Sequence, residues 1–334
     1  MLRLAIIGCG GMAETHFAGF GDVDGIEVTA TVDVEADRAA AAADRFDAAR
    51  PATDYRSVLD AVDAALVALP HHLHHPVARD CLEADCHVLL EKPMALDEAD
   101  CLELIEAADH RELVLMVAYI QRFNPLVTRL KDVLDAGTYG SPFQISIWTE
   151  QHTRYPPDHW ASDADTLGGG QLFSHGCHYI DLLLWLLGRP VAGTHMGTNT
   201  GTPWMDREGT SNVTMQFESG AMGYHFGTWG ARGSRLRYAI HAHCTDGMIE
   251  ADLTNGRLVG LRDGQEEVLL ETAATKSTAA QLAHFVDCIE TGRTPRTDGR
   301  RSLQSLRVIW RLYEAERREV VADLRGCGLQ AGPE

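Results

Sequence analysis

Residues 8–13 read Gly8-Cys9-Gly10-Gly11-Met12-Ala13, directly after the apolar run Leu4 to Ile7 and ahead of a helix-like stretch. In a strand–turn–helix setting the first glycine permits the tight turn, the second lets the backbone approach a pyrophosphate, and Ala13 allows close helix packing. The helix start then offers backbone N–H groups to the phosphates. Asp33 stands 20 residues beyond Ala13, at the end of the next β-rich run, where a carboxylate accepts both ribose hydroxyls of a dinucleotide. A 2′-phosphate would face that negative charge, and no arginine immediately follows Asp33 to receive it. The pattern predicts NAD, in preference to NADP, as the cofactor.

A second group of reactive side chains falls between Leu172 and Leu187, a segment with helical periodicity. On a regular helix Ser174, His178 and Asp181 occupy i, i+4 and i+7 and share one face, while His175 points about 100° away. An imidazole titrating near neutrality can take a proton from a hydroxyl group. The chain has three lysines (Lys92, Lys131 and Lys276) against 26 arginines, so the lysine in Glu91-Lys92-Pro93 draws notice. Two histidine groups suggest metal at first sight: His71, His72, His74 and His75, and His241 with His243 and Cys244. The first lies in a loop expected to border the cofactor, with His74 in contact and at least one neighbour in solvent. The second presents alternate strand residues on one face without a third ligand, so no metal is expected.

The elements that must position these groups divide the chain. Five short β-rich runs, Leu2 to Ile7, Val28 to Val32, Ala64 to Leu69, His87 to Leu90 and Leu113 to Ala118, alternate with helical segments at Ala36 to Phe46, Val77 to Ala84 and Asp97 to Ala108. Such alternation predicts an α/β domain, a doubly wound parallel sheet of the Rossmann type, over residues 1–122. After Asn124-Pro125 a helix (Leu126 to Ala136) leads into recurrent strands: Phe143 to Thr149, Asn212 to Glu218, Met222 to Thr228, Leu236 to His243, Met248 to Ala251 and Val268 to Glu271. Residues 123–334 are therefore expected to form an α+β domain on a large, mostly antiparallel, open-faced sheet. Two helices, Gln281 to Glu290 and Ser302 to Arg318, close it.

At 334 residues two domains are the prior. The formal net charge of −19 disfavours nucleic acid and anionic membrane surfaces as partners. No apolar run reaches the length of a membrane span, and the N-terminus carries no leader-like pattern. Eight cysteines without a CxxC pair read as free thiols in a reducing compartment, so a cytoplasmic location is expected.

Taken together, GCGGMA at residues 8–13, Leu69-Pro70-His71-His72-Leu73-His74, Glu91-Lys92-Pro93, Gln121-Arg122-Phe123-Asn124-Pro125 and the GGGQLFSHGCHYID segment from Gly168 to Asp181 make the chain resemble the Gfo/Idh/MocA family over essentially its whole length. The resemblance implies an NAD-dependent dehydrogenase acting on a secondary hydroxyl of a sugar, sugar derivative or cyclitol, with Lys92 and His178 beside the nicotinamide. It extends the expected cofactor contacts from Gly8, Cys9, Gly10, Gly11, Met12, Ala13 and Asp33 to Leu69, Pro70, His71, His74, Glu91 and Lys92. Oxidising an alcohol needs a base for the hydroxyl proton and a cation for the developing alkoxide, roles that suit His178 and Lys92. Ser174 departs from the aspartate that many polyol-oxidising members carry four residues before that histidine, and neighbouring His175 could compensate. Substrate-facing candidates are Ser174, His175, Gln121, Tyr155, His159 and Trp160. The resemblance also implies a homodimer or homotetramer joined through the antiparallel sheet. Two other readings stay open: a glycosidase that uses transient oxidation with no net redox change, and a nucleotide-binding regulatory protein without catalysis.

Overall fold

The computed structural model describes residues 1–273 and 277–329. Its first part alternates β1 (Leu2–Ile7), α1 (Gly11–Phe20), β2 (Ile26–Val32), α2 (Ala36–Phe46), β3 (Arg50–Ala52), β4 (Ala64–Val67), α3 (His74–Glu83), β5 (His87–Leu90), α4 (Glu98–His110) and β6 (Leu115–Val117). The strands pair in parallel in the order β3-β2-β1-β4-β5-β6. Leu4 to Ile7 and Ala64 to Val67 are at most 2% exposed, as expected for parallel strands covered by helices on both faces. Strand order reverses between β1 and β4, and a crevice for ligands opens at the carboxyl ends of strands at such a switch point.

The second part starts with α5 (Pro125–Asp135), whose first turn follows from its sequence. Asn124 Oδ1 accepts the Leu126 N–H at 3.0 Å and Pro125 supplies a preset φ. It continues through β7 (Pro142–Glu150), α6 (Cys177–Leu187), β8 (Pro190–Thr198), β9 (Thr210–Phe217), β10 (Met222–Thr228), β11 (Tyr238–Cys244), β12 (Gly247–Asp252), β13 (Arg257–Arg262) and β14 (Gln265–Glu271). Then come α7 (Thr278–Thr291), α8 (Gly299–Arg317) and β15 (Ala322–Asp323). The nine-stranded sheet has the order β14-β13-β12-β11-β7-β10-β9-β8-β15. Every pair is antiparallel except β7 with β10, because the chain leaves the centre of the sheet after β7, crosses through α6, and returns alongside it. Ile145, Ile147, Val213, Met215, Ile240 and Ala242 fill the inner face. On the outer face Trp148 packs edge-on to Tyr224 and against His241, with Met196 and Met222 exposed beside them.

Sequence pattern sets the boundary at 1–122 and 123–334; the compact units in the structure are composed as follows. Met1–Ile120 forms one compact unit together with Ser277–Leu303, and the remaining described residues form the other. The physical reason is main-chain pairing at the edge of the parallel sheet. Val117 N–H donates to the Thr297 carbonyl at 2.8 Å, Thr297 Oγ1 donates to the Val117 carbonyl at 2.6 Å, and Met116 bridges Asp298. Residues so remote in sequence cannot be assigned to that edge by periodicity. Among the described residues no helix is long and apolar enough to cross a membrane.

Candidate functional site

The glycine loop lies at the switch point, between the end of β1 and the start of α1. Gly8 adopts φ +92°, and a Cβ there would stand 2.3 Å from the Ala68 carbonyl oxygen, so both conformation and contact with β4 demand glycine. A Cβ at Gly10 or Gly11 would meet nothing within 4 Å, and no side chain caps α1. That leaves an open backbone cradle at a helix start, the form a pyrophosphate needs. Asp33 follows β2 and is 8% exposed; its Oδ2 accepts the Cys9 N–H at 3.0 Å and so is drawn onto the loop. Its Oδ1 accepts the Glu35 N–H at 2.9 Å and the Arg38 guanidinium at 3.0 Å (Nε) and 2.8 Å (Nη2). Burial opposes ionisation, yet the Arg38 bonds and the two backbone donors hold the Asp33 carboxyl below the usual carboxylate range. Ala13 is fully buried and Met12 is 41% exposed. Burial, with Asp33 nearby, pushes the Cys9 thiol up to about 11, so Cys9 contributes its backbone and not its sulfur. This donor set fits a dinucleotide.

The two neighbouring segments take other roles than contact alone. His74 is wholly buried, its Nδ1 lying 2.7 Å from the Pro93 carbonyl and its Nε2 2.8 Å from the Leu69 carbonyl. Both nitrogens are thus engaged with main chain, and His74 braces the β4–α3 loop against the turn after β5. His71 is buried beside it at 5.6 Å between rings, Leu69 and Pro70 are half-buried, and His72 is exposed. Glu91 turns inward: its Oε1 pairs with His16 Nε2 of α1 at 2.7 Å, and its Oε2 accepts the Lys92 N–H at 3.1 Å. Burial would raise the Glu91 pKa, but the bond and charge of His16, aided by Lys92, hold it below the usual value. Its carboxylate therefore ties the Lys92 turn to α1. Lys92 itself is half-buried.

In the second unit the expected helix from Leu172 to Leu187 is broken in register. Leu172–Gly176 form a π-helical turn, and the regular α6 begins only at Cys177. The simple i, i+4, i+7 face for Ser174, His178 and Asp181 is lost, since one wider turn shifts the phase of everything before it. The turn starts against a half-buried carboxyl 36 residues away in sequence: Glu208 Oε1 accepts the Leu172 N–H at 3.3 Å and the Tyr313 hydroxyl at 2.6 Å, while the Glu208 carbonyl accepts the Gln171 N–H at 2.7 Å. A Cβ on Gly170 would lie 2.2 Å from that carboxyl group, so only glycine admits it. Burial raises the Glu208 pKa. Nothing near Glu208 in sequence marks it for this task.

The wider turn brings the His175 ring to 6.1 Å from His178, 5.2 Å from Tyr179 and 6.0 Å from Tyr238. Ser174 and His178 are each 7% exposed, and His175 is half-buried. Beneath them Tyr179 stacks on His225 at 5.3 Å, and burial pushes the His225 imidazole down to about 3, which keeps that floor uncharged. Asp181 faces the interior: its carboxylate takes Arg122 Nε at 2.6 Å and Nη2 at 2.9 Å, both side chains being 2% exposed or less. Arg122 also lies 4.6 Å from the Trp185 ring, so the Gln121–Pro125 motif serves to clamp α6. Arg122 was not among the candidates; an arginine facing the one acidic residue of an otherwise apolar helix was its signal.

The remaining candidates have these local partners. Gln121 Oε1 accepts from Asn124 Nδ2 at 3.4 Å. Tyr155 stacks on His159 at 4.5 Å and meets Trp229 edge-on at 6.0 Å, and Trp160 lies 5.5 Å from His159. Together with Leu167, Met205 and Trp204 they build a small aromatic core under the loop before the triple glycine, and His159 Nδ1 accepts the Ala161 N–H at 3.1 Å as a cap.

Fold and cradle together define an oxidoreductase-type dinucleotide-binding protein with an appended antiparallel-sheet domain. Residues 2–119 match the family described as oxidoreductase family, NAD-binding Rossmann fold, and residues 127–250 match the GFO/IDH/MocA C-terminal domain, so the chain belongs to the Gfo/Idh/MocA oxidoreductases. Inositol 2-dehydrogenase 2 of Saccharopolyspora erythraea is 32% identical over 66% of this chain, and the match spans 65% of that relative's length. D-xylose 1-dehydrogenase (NADP(+)) 2 of Haloferax volcanii is 27% identical over 83% of this chain and 86% of its own. Among solved structures, aldose-aldose oxidoreductase from Caulobacter crescentus superposes with a TM-score of 0.88 at 24% identity, covering 97% of this chain and 99% of that one, which supports the fold.

Proposed function

We propose that this protein is an NAD-dependent dehydrogenase that removes hydride from a secondary hydroxyl carbon of a sugar, sugar derivative or cyclitol. The observation that carries the reading is the Asp33 carboxylate held on the glycine loop by Cys9 N–H beside an uncapped helix start. Gly8 to Ala13 and Asp33 would hold the dinucleotide, and a bound nicotinamide supplies the hydride acceptor. The chain's own residues handle the proton. By the family resemblance His178 is the base for the substrate hydroxyl proton and the Lys92 ammonium is the cation for the developing oxyanion. Ser174 and His175 adjoin His178 on the π-helical turn and orient the hydroxyl or the imidazole.

The test is NADH formation across a panel of inositols, aldoses, uronates and glycosides. Net NADH with a free polyol or aldose supports the reading. Cleavage of a glycoside without net NADH would replace it by transient oxidation, and binding of NAD without turnover of any member would leave the regulatory alternative.

A further inference from the structure

Asp33 does not stand alone. A carboxylate offers about four lone-pair positions, and the protein already directs four donors at this one: Cys9 N–H on Oδ2, and Glu35 N–H with two guanidinium N–H groups of Arg38 on Oδ1. Arg38 sits in the first turn of α2, five residues beyond Asp33, with its side chain 53% exposed against 7% for its partner. The guanidinium is therefore free to leave at little cost in desolvation, whereas the carboxylate is not. It has two effects on a ribose. It competes with the 2′-hydroxyl for Oδ1, and it cancels the charge that would repel a 2′-phosphate. Because Asp33 is where the 2′-oxygen is read, a phosphate on that oxygen arrives beside the group that can pair with it bidentately. Glu35 and Asp37 are the other charges nearby; both are exposed on the rim and screened by solvent.

The geometry points to Arg38 as the residue that sets cofactor discrimination in this protein, narrowing the preference for NAD and admitting NADP. The inference rests on the same dinucleotide site as the proposed function, and it turns on α2, not on the residue directly after Asp33. The experiment is calorimetric titration of the full chain, without substrate, with NAD and with NADP. The wild type is expected to bind both, NADP about ten- to a hundredfold more weakly. Arg38→Ala should weaken NADP by a further tenfold or more while NAD stays within about threefold, and Arg38→Lys, which keeps charge but loses the fork, should fall between. Added salt should weaken NADP in the wild type more than in Arg38→Ala. Parallel losses for the two cofactors would overturn the inference by showing that Arg38 merely props Asp33. So would a ratio insensitive to Arg38, or no NADP binding to the wild type. Failure of both cofactors to bind would overturn the proposed function as well, whereas NADH formation from a polyol with an insensitive ratio overturns only this inference.

Discussion

Asp181→Asn removes one charge from a pair sealed inside the second unit and changes almost nothing in shape. Arg122 and Asp181 are 1% and 2% exposed, so the substitution takes the Asp181 charge away from a buried guanidinium. Breaking such a pair by removing one partner costs about 3–5 kcal/mol. With a urea dependence of about 2–3 kcal/mol per molar, the transition should move down by about 1–2.5 M. The assay reads this unit selectively, because all six tryptophans lie in it: Trp148, Trp160, Trp185, Trp204, Trp229 and Trp310. Trp185 is itself beneath the Arg122 guanidinium, so native fluorescence should change too. Replacing both partners, Arg122→Met with Asp181→Leu, should recover most of the loss, since an apolar pair of similar volume has no charge to desolvate. A midpoint for Asp181→Asn within about 1 kcal/mol of wild type would refute the argument, and so would a double variant no better than the single one.

Lys92→Ala and His178→Ala should each lower turnover by about 10² to 10⁴ with NAD affinity nearly unchanged, while Ser174→Ala should lose about tenfold or less, because a neutral hydroxyl cannot supply the support of a carboxylate. Equal losses for Ser174→Ala and His178→Ala, with folding intact, would place the serine in the proton path. Glu91 has a folded pKa below its ordinary value, so its ionisation stabilises the native state above about pH 4.3, and that contribution disappears as pH falls through the lower folded value. Wild type should accordingly melt above Glu91→Gln at about pH 7 and converge with it in strong acid; a difference that grows on acidification would contradict the sign. The open sheet face with Trp148, Tyr224, Met196 and Met222 is expected to join copies of this chain, so sedimentation should give a multiple of 36.6 kDa that Trp148→Glu reduces. A monomer at all micromolar concentrations would count against that interface.

Local pattern carried far in this sequence where a single strand or turn contains the whole reason. Gly8 needs a positive φ and close contact with the residue after β4, Asp33 follows β2 at the expected distance, and the alternation of apolar runs with helices marks five of the six parallel strands, the edge strand β3 being three mostly exposed residues without an apolar run. The same holds for the Asn124-Pro125 start of α5, where cap and φ constraint are adjacent. Four features needed the assembled chain, each because a group remote in sequence supplies the energy. Residues 277–303 join the first unit through main-chain bonds at the β6 edge. Glu208 and Tyr313 bond the main chain from Gly170 to Leu172, where the π-helical turn that carries His175 begins. His74 and Glu91 find their partners, main-chain carbonyls and His16, in segments that spacing alone does not bring together. Arg38 reaches Asp33 from the next helix, a contact that depends on how α2 leaves β2 and that inspection of the adjoining residue alone could not reveal. Periodicity and spacing determine backbone conformation over one or two elements; which buried charge finds which partner is decided by tertiary packing, because an unpaired charge can be relieved by any residue the fold brings within reach.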